Sequence, residues 1–93
     1  MNLAELQTFL TVASERSFSR AAVKLHRTQP AVSQAVRRLE EELDERLFDR
    51  TSKGGRLTEA GRILLDYARR LTELRDEAKN AVREWQDFRR GRV

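Results

Sequence analysis

The sequence predicts a mainly α-helical fold, in which three short helices and a small two-stranded hairpin precede one long C-terminal helix. Apolar residues recur at helical spacing over most of the 93 residues, and this period breaks between residues 47 and 58. A chain of this length has room for one domain. We expect a compact domain over residues 1–57 and a linker helix over residues 58–93.

The composition excludes several classes of function. Without cysteine, the chain has no disulfide, thiolate metal site or cysteine nucleophile. The longest apolar run has three residues, far below the roughly 20 that span a bilayer, and the N-terminus lacks the pattern of a signal peptide. We therefore expect a cytoplasmic protein. One histidine and no glycine-rich phosphate loop leave little material for catalysis, so we expect neither an enzyme nor a bound cofactor or metal.

Charge is distributed in blocks along the chain. Residues 16–38 contain six basic side chains and no acid, residues 39–49 contain six acids and one arginine, and residues 50–62 contain four basic side chains and one acid. The two basic stretches are candidates for one surface that faces a polyanion, with the acidic block turned away from it. For a basic cluster taken alone, an ordinary solvated helix face is the alternative.

The first helix is predicted over residues 3–15. Leu3, Leu6 and Leu10 recur at helical spacing within it. Asn2 and Glu5 form the asparagine version of a capping box, which fixes the start of this helix.

A short second helix is predicted over about residues 20–25. Ser19 suits its N-cap, and this choice makes Phe18 and Val23 the pair of a hydrophobic staple. The break after this helix falls at His26 and Arg27.

The third helix presents a polar face at its N-terminal end. Thr28 caps it, Pro30 occupies its first turn, and it should end near Leu43. Its buried stripe is predicted to consist of Val32, Val36, Leu39 and Leu43. A helical wheel then places neutral polar residues and arginines on the outward side: Pro30, Ser33, Gln34, Arg37 and Arg38. Gln29 lies at the flank of the stripe but in the exposed first turn.

Residues 47–51 and 56–58 are short enough to be two strands of a basic hairpin, joined by a turn with two glycines. Thr58 then caps the long fourth helix. Its apolar a/d-type positions from residue 64 onward are Leu64, Tyr67, Leu71, Leu74, Ala78, Ala81, Trp85 and Phe88. At 1.5 Å per residue this helix is roughly 45 to 50 Å long. We expect a second copy to cover the stripe, because packing back on the first three helices explains only its first turns.

Two helices joined by a tight turn, followed by a basic hairpin, are typical of a winged helix-turn-helix. A helix fills the DNA major groove, where amides and hydroxyls read base edges and arginines neutralise phosphates. We expect base contacts from Gln29, Pro30, Ser33, Gln34 and Arg37. We expect DNA backbone contacts from Ser17, Ser19, Arg27, Thr28, Arg38, Arg50, Lys53 and Arg56. Each of these residues also has an ordinary structural alternative, such as capping for Ser19 and Thr28.

Six segments resemble the N-terminal DNA-binding domain of LysR-type transcriptional regulators, in order and with matching spacing. The segments are Ser17-Phe18-Ser19-Arg20-Ala21-Ala22, Leu25-His26, Thr28-Gln29-Pro30-Ala31-Val32-Ser33, Leu39-Glu40 with Leu47-Phe48-Asp49-Arg50, and Leu57-Thr58-Glu59-Ala60-Gly61. The resemblance runs from Leu3 to about Leu71 and so covers most of the chain.

The resemblance implies a homodimer whose linker helices pair side by side in antiparallel, bound to an interrupted inverted repeat in a bacterial promoter. It also implies base contacts from Gln29, Pro30 and Ser33. Members of the family continue well beyond the linker helix into a region that binds a small-molecule co-inducer, and higher oligomers are possible there. We therefore expect this chain to bind double-stranded DNA without a small-molecule ligand of its own.

The chain departs from the family at two helix ends. Arg16 and Asp44 stand where the family usually has glycine. Both positions favour a left-handed backbone, which aspartate tolerates better than arginine. We expect Arg16 either to carry some strain or to mark a slightly different end of the first helix, with its charge available to a phosphate instead.

Three other classes of function compete with DNA binding. A coiled-coil interaction module would make the basic block incidental. An enzyme built on His26 is disfavoured, because no carboxylate in the sequence pairs with this lone histidine. A membrane-surface helix is disfavoured, because residues 63–93 are nearly balanced in charge.

Overall fold

The structure, a computed structural model, describes residues 1–49, 51 and 55–91. Within these residues it has four α-helices: α1 (Leu3–Glu15), α2 (Phe18–Lys24), α3 (Gln29–Leu43) and α4 (Glu59–Arg89). The molecule is elongated, with extents of 57, 25 and 18 Å, because most of α4 projects beyond the other helices. None of the helices in the described part of the chain is long and apolar enough to cross a bilayer.

The first helix begins and ends where the sequence predicts. The Asn2 side chain accepts a hydrogen bond from the Glu5 amide at 2.8 Å, and the Glu5 carboxylate accepts one from the Asn2 amide at 3.3 Å, which confirms the capping box. The helix ends at Arg16 with a left-handed backbone, φ 54°. The amino group of Met1 contacts Glu42 of α3, and this hydrogen bond holds the pKa of the amino group above its usual value.

The predicted start of α2 is wrong by about half a turn. Ser17 is the N-cap, not Ser19, and its hydroxyl accepts from the Arg20 amide at 3.1 Å. This earlier start brings Phe18 into the helix, where its ring packs against Phe48 with centroids 5.3 Å apart. The predicted staple is also wrong, because Val23 is 77% exposed. Contact with a distant aromatic ring therefore outweighed the local capping preference.

The third helix matches its predicted bounds. The Thr28 hydroxyl accepts from the Ala31 amide at 3.3 Å, and Asp44 ends the helix with φ 53°. Leu43, predicted to be buried, is 39% exposed, because the last turn extends past the core. On that side Glu40 turns inward instead, and its carboxylate accepts from the Leu47 amide at 2.8 Å.

The hairpin is represented in the described residues by one antiparallel bridge, between Phe48 and Leu57, instead of the two predicted strands. The Asp49 amide donates to the Arg56 carbonyl at 2.7 Å next to it. Most of the predicted turn and the basic residues Arg50 and Lys53 lie outside the described residues.

The core lies between α1, α2, α3 and the first turns of α4. Phe48 is its central aromatic ring, 5.4 Å from the Phe9 ring and fully buried. The other large, fully buried side chains are Val12, Val32, Val36, Leu39 and Leu47. Their burial fixes which face of α3 remains exposed.

The fourth helix has two apolar faces. Gly61, Leu64, Ala68 and Thr72 are buried against the domain. Leu64 therefore belongs to the core of its own chain and not to the exposed stripe where the sequence placed it. The exposed stripe begins one turn later, with Tyr67 at 54%, Leu71 at 41%, Leu74 at 61%, Trp85 at 57% and Phe88 at 80% exposure. The part of α4 after Thr72 does not fold back on the first three helices.

Gly61 lies close to the backbone of Leu47, in the segment between α3 and α4. A Cβ atom at this position would lie 2.2 Å from the Leu47 carbonyl oxygen. We expect Gly61→Ala to lower the free energy of unfolding by about 1–3 kcal/mol through overpacking, although alanine favours helices. Urea denaturation at fixed protein concentration measures this, with Lys79→Ala, on the exposed part of α4, as the control. A stabilised Gly61→Ala variant would contradict the contact.

Candidate nucleic-acid interface

A tight turn joins α2 to α3 and sets the angle between them. His26 has a left-handed backbone, φ 55°. Its amide donates to the Val23 carbonyl at 3.1 Å, and the Arg27 amide donates to the Ala22 carbonyl at 2.9 Å. This pair of bonds is a Schellman motif, with histidine at the position that glycine usually takes. The lone histidine thus has a structural place in the turn.

The first turns of α3 present a polar face to solvent. Gln29, Pro30, Gln34 and Arg37 are exposed, and Ser33 is half-buried. The opposite face holds the buried residues Val32, Ala35, Val36 and Leu39. The structure thus confirms the exposure predicted for this face, while the partner of each side chain stays a prediction.

Hydroxyl groups lie at the N-termini of both helices of the motif. Ser17 and Thr28 are the N-caps of α2 and α3, and the Ser17 and Ser19 hydroxyl oxygens are 3.0 Å apart. Helix N-termini have free amide groups and a positive dipole end, which suit phosphate oxygens. The capping role and a phosphate contact are compatible, because a hydroxyl can accept from an amide and still donate.

The arginines of this surface form no ion pairs within the described residues. In the part of the chain that the structure describes, no carboxylate forms an ion pair with Arg27, Arg37 or Arg38. The same holds for Arg20, an exposed residue in the first turn of α2 that the sequence analysis left out of the predicted contacts. The sequence signal that could have identified Arg20 as a contact was its position between Ser19, a predicted contact, and the buried Ala21. The exposed acids Glu41 and Glu42 lie at the other end of α3.

The predicted contacts of the hairpin are only partly described. Arg56 is exposed beside the bridge between Phe48 and Leu57. Arg50 and Lys53 lie outside the described residues, so their contacts remain predictions from the sequence. Within residues 1–49, 51 and 55–91, no cluster of His, Asp or Glu side chains could hold a metal ion.

These features define a helix-turn-helix DNA-binding domain followed by a long helix. The family model described as "Bacterial regulatory helix-turn-helix protein, lysR family" matches residues 3–62. The chain therefore belongs to the lysR family of bacterial regulatory helix-turn-helix proteins.

Similar curated proteins are named as transcriptional regulators. An uncharacterized HTH-type transcriptional regulator in the ibpB-leuC intergenic region of Azotobacter vinelandii is 48% identical over 82 residues, which cover 88% of this chain and 57% of the relative. YxjO of Bacillus subtilis, an uncharacterized HTH-type transcriptional regulator, is 45% identical over 85 residues, covering 91% and 29%. The chain thus spans only part of the length of these relatives.

Solved structures of similar chains include DNA complexes. The BenM_DBD/benA site 1 DNA complex matches with a TM-score of 0.89 and 34% identity, covering 92% of this chain and 97% of that one. The CbnR_DBD-DNA complex matches with a TM-score of 0.86 and 32% identity, covering 92% and 99%. Vibrio fischeri DarR in complex with DNA matches with a TM-score of 0.87 and 31% identity, covering 95% and 30%.

The left-handed backbone at His26 leads to a test of the turn. We expect His26→Gly to raise the free energy of unfolding by about 0.5–1 kcal/mol, because glycine adopts this conformation without a Cβ clash. Lys24→Gly, two residues earlier in the last helical turn, should lower it by about 1 kcal/mol. Thermal and urea unfolding of the two variants measure the contrast. Equal destabilisation by both glycines would contradict the Schellman motif.

Proposed function

We propose that this chain is the DNA-binding part of a bacterial transcriptional regulator, and that it binds an interrupted inverted repeat in promoter DNA as a homodimer. The exposed polar N-terminal face of α3, followed by Arg37 and Arg38 without ion pairs in the described residues, carries this proposal. A helix entering the major groove by this end brings amide, hydroxyl and guanidinium groups to base edges. Relatives solved with DNA support the same partner for this chain.

We assign base reading to five side chains of α3. Gln29 suits a bidentate pair with adenine, Arg37 suits guanine, and Pro30 offers an apolar contact to a thymine methyl group. The two remaining side chains, Ser33 and Gln34, each combine a donor and an acceptor and suit several bases.

Contacts to the DNA backbone are proposed to fix the register of α3 in the major groove. Arg38 and Arg27 provide charge, and Ser17, Ser19 and Thr28 provide hydroxyls at helix N-termini. Arg56 is assigned to phosphates beside the minor groove, where the hairpin would lie. Arg50 and Lys53, outside the described residues, complete the predicted set.

The exposed stripe of α4 is proposed as the dimer interface. It comprises Tyr67, Leu71, Leu74, Ala78, Ala81, Trp85 and Phe88. Burying the large apolar side chains that α4 exposes to solvent lowers the free energy of the protein, and a second copy offers a matching stripe. We propose residues 1–57 as the DNA-binding domain and residues 58–93 as the linker helix.

A DNA-binding role without catalysis accounts for every motif that the sequence singled out. We propose no enzymatic activity, and we place the protein in the cytoplasm, where bacterial promoter DNA lies. We assign no small-molecule effector site to this chain.

Base reading by Gln29 can be tested by comparing a Gln29 variant with a variant of Arg38, which is assigned to the DNA phosphates. The operator comes from selection of bound duplexes out of a random pool. Gln29→Ala should lower discrimination between this operator and random DNA by about 1–3 kcal/mol, because a bidentate pair is lost. Arg38→Ala should weaken both duplexes about equally. Fluorescence anisotropy at several salt concentrations measures both, and equal losses on the two duplexes for Gln29→Ala would remove this residue from base reading.

The stripe of α4 can be tested by a single charge. Leu71→Asp should shift the chain from dimer to monomer and reduce operator affinity, because the carboxylate would be buried unpaired between two helices. Glu73→Asp, exposed on the same turn and outside the stripe, is the control. Analytical ultracentrifugation measures the mass of both variants. A dimeric Leu71→Asp variant, or a monomeric wild-type chain, would refute the interface.

A further inference from the structure

An open groove of about 930 Å³ runs between α1, the segment before α4 and the first turns of α4. The surface is separate from the face of α3 that was assigned to base reading. Five basic residues line it, and the described lining residues include no acid. The five are Arg16, Lys24, Arg56, Arg62 and Arg69.

Much of this charge is uncompensated. Lys24 pairs with Glu15 at 3.3 Å, and Arg62 pairs with Glu59 at 3.2 Å. Arg16, Arg56 and Arg69 form no ion pair with any carboxylate of the described residues. All three are exposed. Three free guanidinium groups around one groove favour a polyanion.

The groove adjoins the elements that face DNA in the proposed complex. Arg16 directly precedes Ser17, the N-cap of α2. The base of the hairpin closes onto the same point, because a Cβ at Gly55 would lie 2.9 Å from the Val12 carbonyl oxygen and 3.0 Å from the Arg16 Cα. The base of the hairpin and the end of α1 therefore form one side of the groove. The N-terminal end of α2, which faces phosphates in the proposed complex, lies at the edge of the groove.

We propose that this groove binds the phosphates of DNA that flanks each half-site on the hairpin side, so that the footprint extends beyond the bases read by α3. The inference rests on the proposed function, since it needs a duplex already seated on α3. A duplex that continues past the N-terminus of α2 and the hairpin reaches the rim at Arg16 and Arg56. Modest bending toward the protein then brings its backbone to Arg69, and the bending is offset by the added contacts.

The test compares two duplexes with the same selected operator, one ending at the half-sites and one extended by arbitrary sequence on both sides. For the wild-type chain we expect extension to raise affinity about 10-fold at 0.1 M salt and to steepen the slope of log K against log salt by about 4, because Arg16 and Arg69 of both protomers add phosphate contacts. The double variant Arg16→Gly and Arg69→Gln should bring the ratio of the two affinities close to one. Glycine suits the left-handed backbone at position 16, and urea denaturation verifies folding. Arg83→Gln, on α4 outside the groove, should keep the wild-type ratio.

A wild-type ratio near one would overturn this inference, and so would a ratio that survives in the double variant or is lost equally in Arg83→Gln. If the groove binds an acidic protein segment instead of DNA, the wild-type chain will bind the short and the extended duplex with equal affinity. Failure of the proposed function is a different observation, namely absence of operator-specific binding to the short duplex.

Discussion

The burial of two residues between α3 and α4 is the constraint on which the other elements depend. Leu47 and Phe48 are completely buried, and both backbone groups of Leu47 are hydrogen-bonded, its amide to the Glu40 carboxylate at 2.8 Å and its carbonyl to the Thr58 amide at 3.0 Å. A hydrogen bond to a charged acceptor stabilises a fold by about 1.5–3 kcal/mol. Together these contacts fix the end of α3, the start of α4 and the aromatic cluster, and so they determine which face of α3 meets solvent.

Short connections between the helices follow from the backbone at their ends. In the part of the chain that the structure describes, three residues other than glycine, Arg16, His26 and Asp44, have φ between 53° and 55°. Arg16 and Asp44 are the C-caps of α1 and α3, and His26 follows the C-cap of α2. A left-handed residue turns the chain sharply, so only a few residues are needed before the next helix begins. The strain is about 1–2 kcal/mol per residue and is offset by the core that the tight turns make possible. At position 16 the left-handed residue is also a charged one, and it lines the basic groove.

Local signals were sufficient to predict most of the helices, and tertiary contacts explain the errors. Capping by Asn2, Thr28 and Thr58 fixed the starts of α1, α3 and α4, because a cap is a contact within a few residues. The start of α2 was misplaced, because two serines offer similar caps and the choice between them depends on a ring far away in sequence. The exposed face of α3 followed from its periodicity. The two basic stretches predicted a shared surface that faces a polyanion, and they supply four of the five basic residues of the groove. The shape of the groove and the place of Arg69 in it could not be predicted, because the groove is assembled from α1, α2, the hairpin base and α4.

The rigidity of α4 links the proposed interface to the proposed site. Its first turns are anchored by Gly61, Leu64, Ala68 and Thr72, so the exposed stripe has a fixed direction relative to α3. In a dimer formed through this stripe, the distance between the two α3 helices is therefore set by packing and not by a flexible linker. Two weak half-sites then act as one strong site, because binding at the first raises the effective concentration at the second. This gain is lost on DNA with a different spacing, since a stiff connection cannot stretch to follow it. In the proposed dimer, the packing of α4 therefore couples sequence reading by α3 to the spacing between the half-sites.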